Sequence, residues 1–81
     1  TKLTKMRKLI ACDKPKIKKI NHLLNLERLN CSNDCGVSDE NLIGLNNLRI
    51  LDAYNNDKIE NVEHLESLEE FNYYIVGGPF F

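Results

Sequence analysis

The sequence lacks a charge excess: eleven basic and twelve acidic residues leave a net charge of -1 over 81 residues. Such a balance supplies no long-range field for gathering nucleic acid or an anionic membrane surface. Long apolar runs are missing too. Nothing approaches the roughly 18 apolar residues of a membrane span, and the opening "TKLTKMRKLIACDK" has no continuous apolar stretch of a secretory leader. No phosphate loop is present either, because "GGP" at 77–79 has neither the lysine nor the hydroxyl residue that such a loop needs. Cysteine is scarce and odd in number, and three thiols cannot all pair within one chain. With no leader, this predicts free thiols and a reducing, cytoplasmic setting. The chain starts at Thr1 rather than methionine, which suggests a piece of something longer. What remains is a chain 42% hydrophobic and 28% charged, the balance of a soluble globular domain. At this size folding buries only about 60 to 65% of the unfolded surface, so the core has to be economical.

What the sequence does have is a ladder. Leucine-like residues recur as Met6, Leu9, Ala11 and Ile17; as Leu26, Leu29, Cys31 and Val37; as Leu48, Leu51, Ala53 and Ile59; and again from Leu68, Phe71 and Tyr73. Within each of the first three rungs the interval from first residue to lower apolar residue is eleven. Rungs begin at 6, 26, 48 and 68, so the spacing alternates 20, 22, 20. The first and third units also agree at a 42-residue offset, Arg7 with Arg49, Lys16 with Lys58 and His22 with His64 among others. Self-similarity at this period is the mark of a repeat architecture.

Each unit reads L-x-x-L-x-(A/C/Y), a polar turn, then isoleucine or valine. Over residues 3–75 this resembles the leucine-rich repeat family, whose segment L-x-x-L-x-L-x-x-N is matched by "LRILDAYNN" (48–56), "LERLNCSND" (26–34) and "MRKLIACDK" (6–14). The second unit, continuing "CGVSDENL", is similar to the cysteine-bearing type, in which that cysteine packs inward. The resemblance implies a stack of coils, an α/β solenoid, with a short parallel β-sheet on its concave face and 3₁₀, short-helical or extended segments on the convex face. It implies a single domain over 1–81 of about three and a half repeats and no caps. In the family the asparagine bonds backbone groups in the turn. Only Asn56 is in register for this, with Asn33, Asn55 or Asp34 as partial substitutes.

The residues support the same picture independently. Alternation through Leu9 and Ala11, Leu29 and Cys31, and Leu51 and Ala53 describes short strands with one face inward. "IKKINHL" and "IENVEHL" carry apolar residues every third position, suiting 3₁₀ or extended turns, whereas "VSDENLIGL" is two residues longer. It has a cap at Ser38 or Asp39 and the apolar spacing of a short helix. A single coil cannot bury its inner stripe; stacked coils can.

This register argues against chemistry at the cysteines and histidines. Cys31 falls at a core position, the resemblance implies the same for Cys35, Cys12 falls on the outer face as the most exposed thiol, and His22 and His64 lie a superperiod apart. That arrangement offers no tetrahedral zinc set and no opposed acid and base. No catalytic residue, cofactor or metal is expected, and the lysine cluster "KPKIKKI" reads as a solvated face.

Surface display is left. Aligned on the concave face are Arg7 and Lys8 from the first strand, Arg28 and Asn30 from the second, Arg49, Asp52 and Tyr54 from the third, and Glu70, Asn72 and Tyr74 from the fourth. Arg7, Glu27, Arg49 and Glu69 form one line of alternating sign. The expectation is a non-enzymatic module binding a protein or peptide through these residues, with no nucleic acid and no membrane. The alternative is a structural segment of a longer array that self-associates, as a homo-oligomer, through its uncapped ends. Val76, Phe80 and Phe81 are candidates for a makeshift cap.

Overall fold

The computed structural model describes residues 5–74; the expectations for Leu3, Ile75, Val76, Phe80 and Phe81 lie outside the described residues. Four three-residue strands form one sheet: β1 (Lys8–Ile10), β2 (Arg28–Asn30), β3 (Ile50–Asp52) and β4 (Glu70–Asn72). All neighbours are parallel and the order is β1-β2-β3-β4. Register follows the repeat, with Leu9 opposite Leu29, Leu29 opposite Leu51 and Leu51 opposite Phe71. The carbonyls of Arg7, Glu27 and Arg49 each accept two N–H groups from the next strand's entry, at 2.7 to 3.0 Å. Each strand is thereby entered in the same way.

The core is the inner side of this ladder. Leu26, Leu29, Cys31, Leu48, Leu51 and Ala53 are fully buried, together with Val37, Leu42, Leu45 and Ile59 from the connections. Met6, Leu9, Ile17, Val62 and Leu68 are partly buried and pack against this core. Alanine or cysteine at the second inward position keeps the rungs close enough to pair.

The connections turn by threes. Leu23 and Leu26, Leu45 and Leu48, and Leu65 and Leu68 each donate their N–H to the carbonyl three residues earlier, at 3.0 to 3.2 Å. This is why the leucines recur every third position and all point inward. The longer middle connection forms one 3₁₀ turn, Asp39–Leu42, and no α-helix. Its start is fastened by the Asn41 side-chain oxygen, which accepts from the Ser38 N–H at 2.9 Å and the Ser38 hydroxyl at 3.0 Å. It stops because Ile43 is extended (φ -62, ψ 128) and Gly44 has φ 92, a region that glycine enters without penalty.

Where the strands end, Asp13, Asn33 and Asn55 all take left-handed backbone, with φ of 60, 61 and 58. Asparagine and aspartate tolerate that region better than other L residues do. Asn56, fully buried, closes the same turn: its amide donates to the carbonyls of Cys31 (2.8 Å) and Val37 (3.0 Å), and its oxygen accepts from the Lys58 N–H at 3.0 Å. Asn55 donates to Asn33 at 3.3 Å and Asn33 to the Cys12 sulfur at 3.4 Å, whereas Asp34 is exposed. Gly36 sits where a Cβ would collide with the carbonyl oxygens of Pro15 and Ile17.

Asn56→Ala strands two buried carbonyls and one N–H, and a loss of about 2 to 4 kcal/mol is expected. Urea unfolding of this variant beside Asn46→Ala, at an exposed position, checks it; equal midpoints for the two would show that Asn56 carries no load.

Candidate functional site

The sheet face opposite the leucines is lined by columns one rung apart. Lys8, Arg28, Ile50 and Glu70 form one, and Ile10, Asn30, Asp52 and Asn72 form the next. Beyond the strand ends, Ser32 and Tyr54 continue the pattern, since the Tyr54 N–H donates to the Ser32 hydroxyl at 3.1 Å. Before the strands, the line Arg7, Glu27, Arg49, Glu69 is an unbroken chain of ion pairs. Arg7 stands 3.6 Å from Glu27, Glu27 stands 3.9 Å from Arg49, and Arg49 Nε stands 2.9 Å from Glu69. Arg49 meets Glu69 with two nitrogens, the second at 3.3 Å. This hydrogen-bonded guanidinium holds the Glu69 carboxyl below the usual carboxylate range, and Glu69 in turn raises Arg49. Arg7, Arg49 and Glu69 are well exposed and Glu27 is half-exposed, so their attraction is screened.

Asp52 behaves differently from the display role expected of it. It is only 7% exposed and its carboxylate is fully engaged, 3.3 Å from Arg28 and 2.7 Å from the Asn72 amide. Asn72 also donates to Glu70 at 2.7 Å. A buried carboxylate needs such partners, because removing a charge from water is costly unless it is paired and hydrogen-bonded. Arg28, Asp52, Asn72 and Glu70 therefore form one network, in which Asp52 is a support and Arg28 and Glu70 keep an exposed side. The Asn30 side chain is turned to its own loop, accepting from the Ser32 N–H at 3.1 Å. Arg7, Lys8 and Arg49 are exposed as the sequence predicts.

The tyrosines meet as expected. The Tyr54 and Tyr74 rings lie 4.9 Å apart at 59°, within the range of favourable aromatic contact, and stay 37% and 53% exposed. Arg49, Glu69 and their neighbours also border a polar hollow of about 680 Å³ that reaches Asn25, Asn47 and Glu66.

No family model matches the chain, and neither a curated protein nor a solved structure matches it.

On the far side of the molecule, the sequence reading overlooked a shallow hollow of about 480 Å³ around Ile43, His64, Asn61, Glu40 and Asp39. Ile43 is 61% exposed. Asp39 is occupied in bracing the next connection, accepting from the Glu60 N–H at 2.8 Å and the Asn61 N–H at 3.2 Å. Both histidines are exposed, each just before a buried leucine. Among the described residues no group of three or more His, Cys, Asp or Glu is placed to hold a metal ion, and no helix is long and apolar enough to cross a membrane.

The three cysteines are free thiols; Cys31 and Cys35 are buried and Cys12 is half-exposed, as the register requires. Burial, above all, pushes the Cys31 thiol up from its ordinary 9.0 to about 12, and raises Cys35 as well. Thiolate is the reactive form. Native protein treated with a thiol reagent at neutral pH is therefore expected to modify Cys12 first, with Cys31 and Cys35 protected until unfolding. Mass mapping that found Cys31 ahead of Cys12 would overturn the register.

The same shift has a sign in stability. Above pH 9 the unfolded Cys31 has lost its proton while the folded one keeps it to about pH 12, so stability falls as pH rises through that window. The slope is at most about 1.4 kcal/mol per pH unit for one proton. Alkaline unfolding of Cys31→Ala, at a position where the neighbouring rungs already carry Ala11 and Ala53, is expected to lose that component.

Proposed function

We propose that the chain is a leucine-rich-repeat solenoid whose sheet face binds a protein or peptide and performs no chemistry. The observation that supports it most is the exposed Tyr54–Tyr74 pair standing on the same sheet face as Arg28, Glu70 and Lys8. Tyrosine brings large contact area at small entropy cost, and arginine brings directed hydrogen bonds; both are enriched where binding energy concentrates. In-register parallel strands, connections that turn by threes and the buried Asn56 support the repeat assignment. A partner covering the sheet face would meet the tyrosines beyond one end of the strands and the alternating charges before the other. Asp52, Asn72 and Asn30 hold that surface in shape rather than contribute to contact. The free thiols suit a reducing, cytoplasmic setting.

Selection of peptides from a random display library against the full chain provides the test. Selected binders are expected to weaken at least about ten-fold, the equivalent of 1.4 kcal/mol, against Tyr54→Ala or Tyr74→Ala, with melting nearly unchanged. Ile43→Ala, on the opposite side, is expected to leave them unaffected. Binders indifferent to both tyrosines, or tyrosine variants that melt far earlier without any loss of binding, would sink the proposal.

A further inference from the structure

The ion-pair line has a direction. It runs from Arg7 on the β1 side to Glu69 on the β4 side, and the adjacent column starts with Lys8 and finishes with Glu70. One edge of the sheet is therefore basic and the other acidic at matching heights. The inward column gives the same message in apolar form: Phe71 and Tyr73 on the β4 rung stack on each other at 5.4 Å and are each 39% exposed, while their equivalents Leu51 and Ala53 are fully buried. Leu9, at the opposite edge, is also only partly covered.

The chain contains its own template for what fits there. At the 42-residue offset β4 corresponds to β2 and β3 corresponds to β1, so the step from β2 to β3 stands where a step from β4 to a further β1 would stand, and its Glu27–Arg49 pair has the residue types of Glu69 and Arg7. In that template Glu27 lies 3.9 Å from Arg49, and the Glu27 carbonyl accepts the N–H groups of Arg49 and Ile50 at 2.7 and 3.0 Å. We propose that the chain associates head to tail with a second copy of itself, the β1 edge of one copy pairing in parallel with the β4 edge of the other.

In this junction the Glu69 carboxylate continues the line onto the second copy's Arg7, Glu70 faces its Lys8, and Phe71 covers its Leu9. The Glu69 carbonyl accepts from the entry of the new strand, as Glu27 does within the chain. Among the described residues no strand pairs with the outer edge of β1 or of β4; such an edge is a template for another strand, and opposite charges across it favour one orientation. A contact of this type joins unlike surfaces, so it leaves a free edge on each side and adds copies in an open series or closes into a ring. The proposal rests on the repeating register and not on peptide binding, which uses the sheet face rather than its edges.

Charge reversal at each edge tests it with the full chain. Sedimentation velocity over a concentration series is expected to show species growing beyond dimer for the unmodified chain, and these should diminish as salt is raised. Arg7→Glu with Lys8→Glu gives two acidic edges, and Glu69→Lys with Glu70→Lys gives two basic ones. Each is expected to need at least about ten-fold more protein to assemble, the equivalent of 1.4 kcal/mol, and an equimolar mixture is expected to regain assembly. Circular dichroism melting monitors folding; if the double variants melt early, Lys8→Glu and Glu70→Lys alone, separately and mixed, carry the same comparison. A chain that stays monomeric throughout, or variants that assemble as the unmodified chain does, would overturn the proposal. A species that stops at dimer and ignores the reversals would point to a like-with-like contact and overturn it as well.

Discussion

Parallel strands in register lie about 4.8 Å apart, and each side chain on this sheet meets its counterparts at that spacing in the rung above and the rung below. Whatever occupies a column must tolerate near-copies of itself. From β1 to β3 leucine does so in the first inward column and alanine or cysteine in the second, and the larger Phe71 and Tyr73 stand on the β4 rung, half-exposed. Charge tolerates it only by alternating sign, and the Arg7, Glu27, Arg49, Glu69 line does that. A left-handed turn tolerates it when an asparagine or aspartate stands at each strand exit, as Asp13, Asn33 and Asn55 do. The core, the surface pairs and the turns thus answer to a single spacing.

A second consequence of that spacing is the unequal status of the polar residues. Groups outside the strand ends, such as Arg49 and Glu69, remain wet and contribute little individually. Asp52, in the middle of the sheet face, is crowded by the rungs on both sides and loses water, so Arg28 and Asn72 must replace its solvation. The structure gives the centre of the face to a fixed polar network and leaves its margins to the tyrosines and the charged line.

Much of this was legible in the sequence because columns follow from periodicity. The inward leucines, the alternating charge line, the Tyr54–Tyr74 contact and the buried Cys31 are read by adding 20 or 22, whereas the buried Cys35 and the role of Asn56 followed from the resemblance, since their equivalents are Pro15 and Asp57, and Lys14 and Asp34. Interactions that cross columns were not legible. Arg28 reaches Asp52 diagonally, from one column to the next, and a register table pairs neither with the other. Asp39 bracing Glu60 and Asn61 joins connections of unequal length, where the offset is ambiguous. In the middle connection, apolar spacing suggested a short helix, but Gly44 and the extended Ile43 allow one 3₁₀ turn. The left-handed exits had a visible signal in the Asp or Asn three residues after each of the first three strands, at positions where the resemblance put Asn33 and Asn55 in the asparagine ladder.

Strand order equal to chain order has a mechanical side. Tension applied along the chain pulls across the strands rather than along them, so hydrogen bonds between rungs are loaded a few at a time and the sheet peels from an edge. Each rung released frees a segment of about 20 residues, roughly 65 to 70 Å when fully drawn out. A sheet built in this way yields in steps, one strand at a time, and the strand left at the edge is always equipped to receive the segment back.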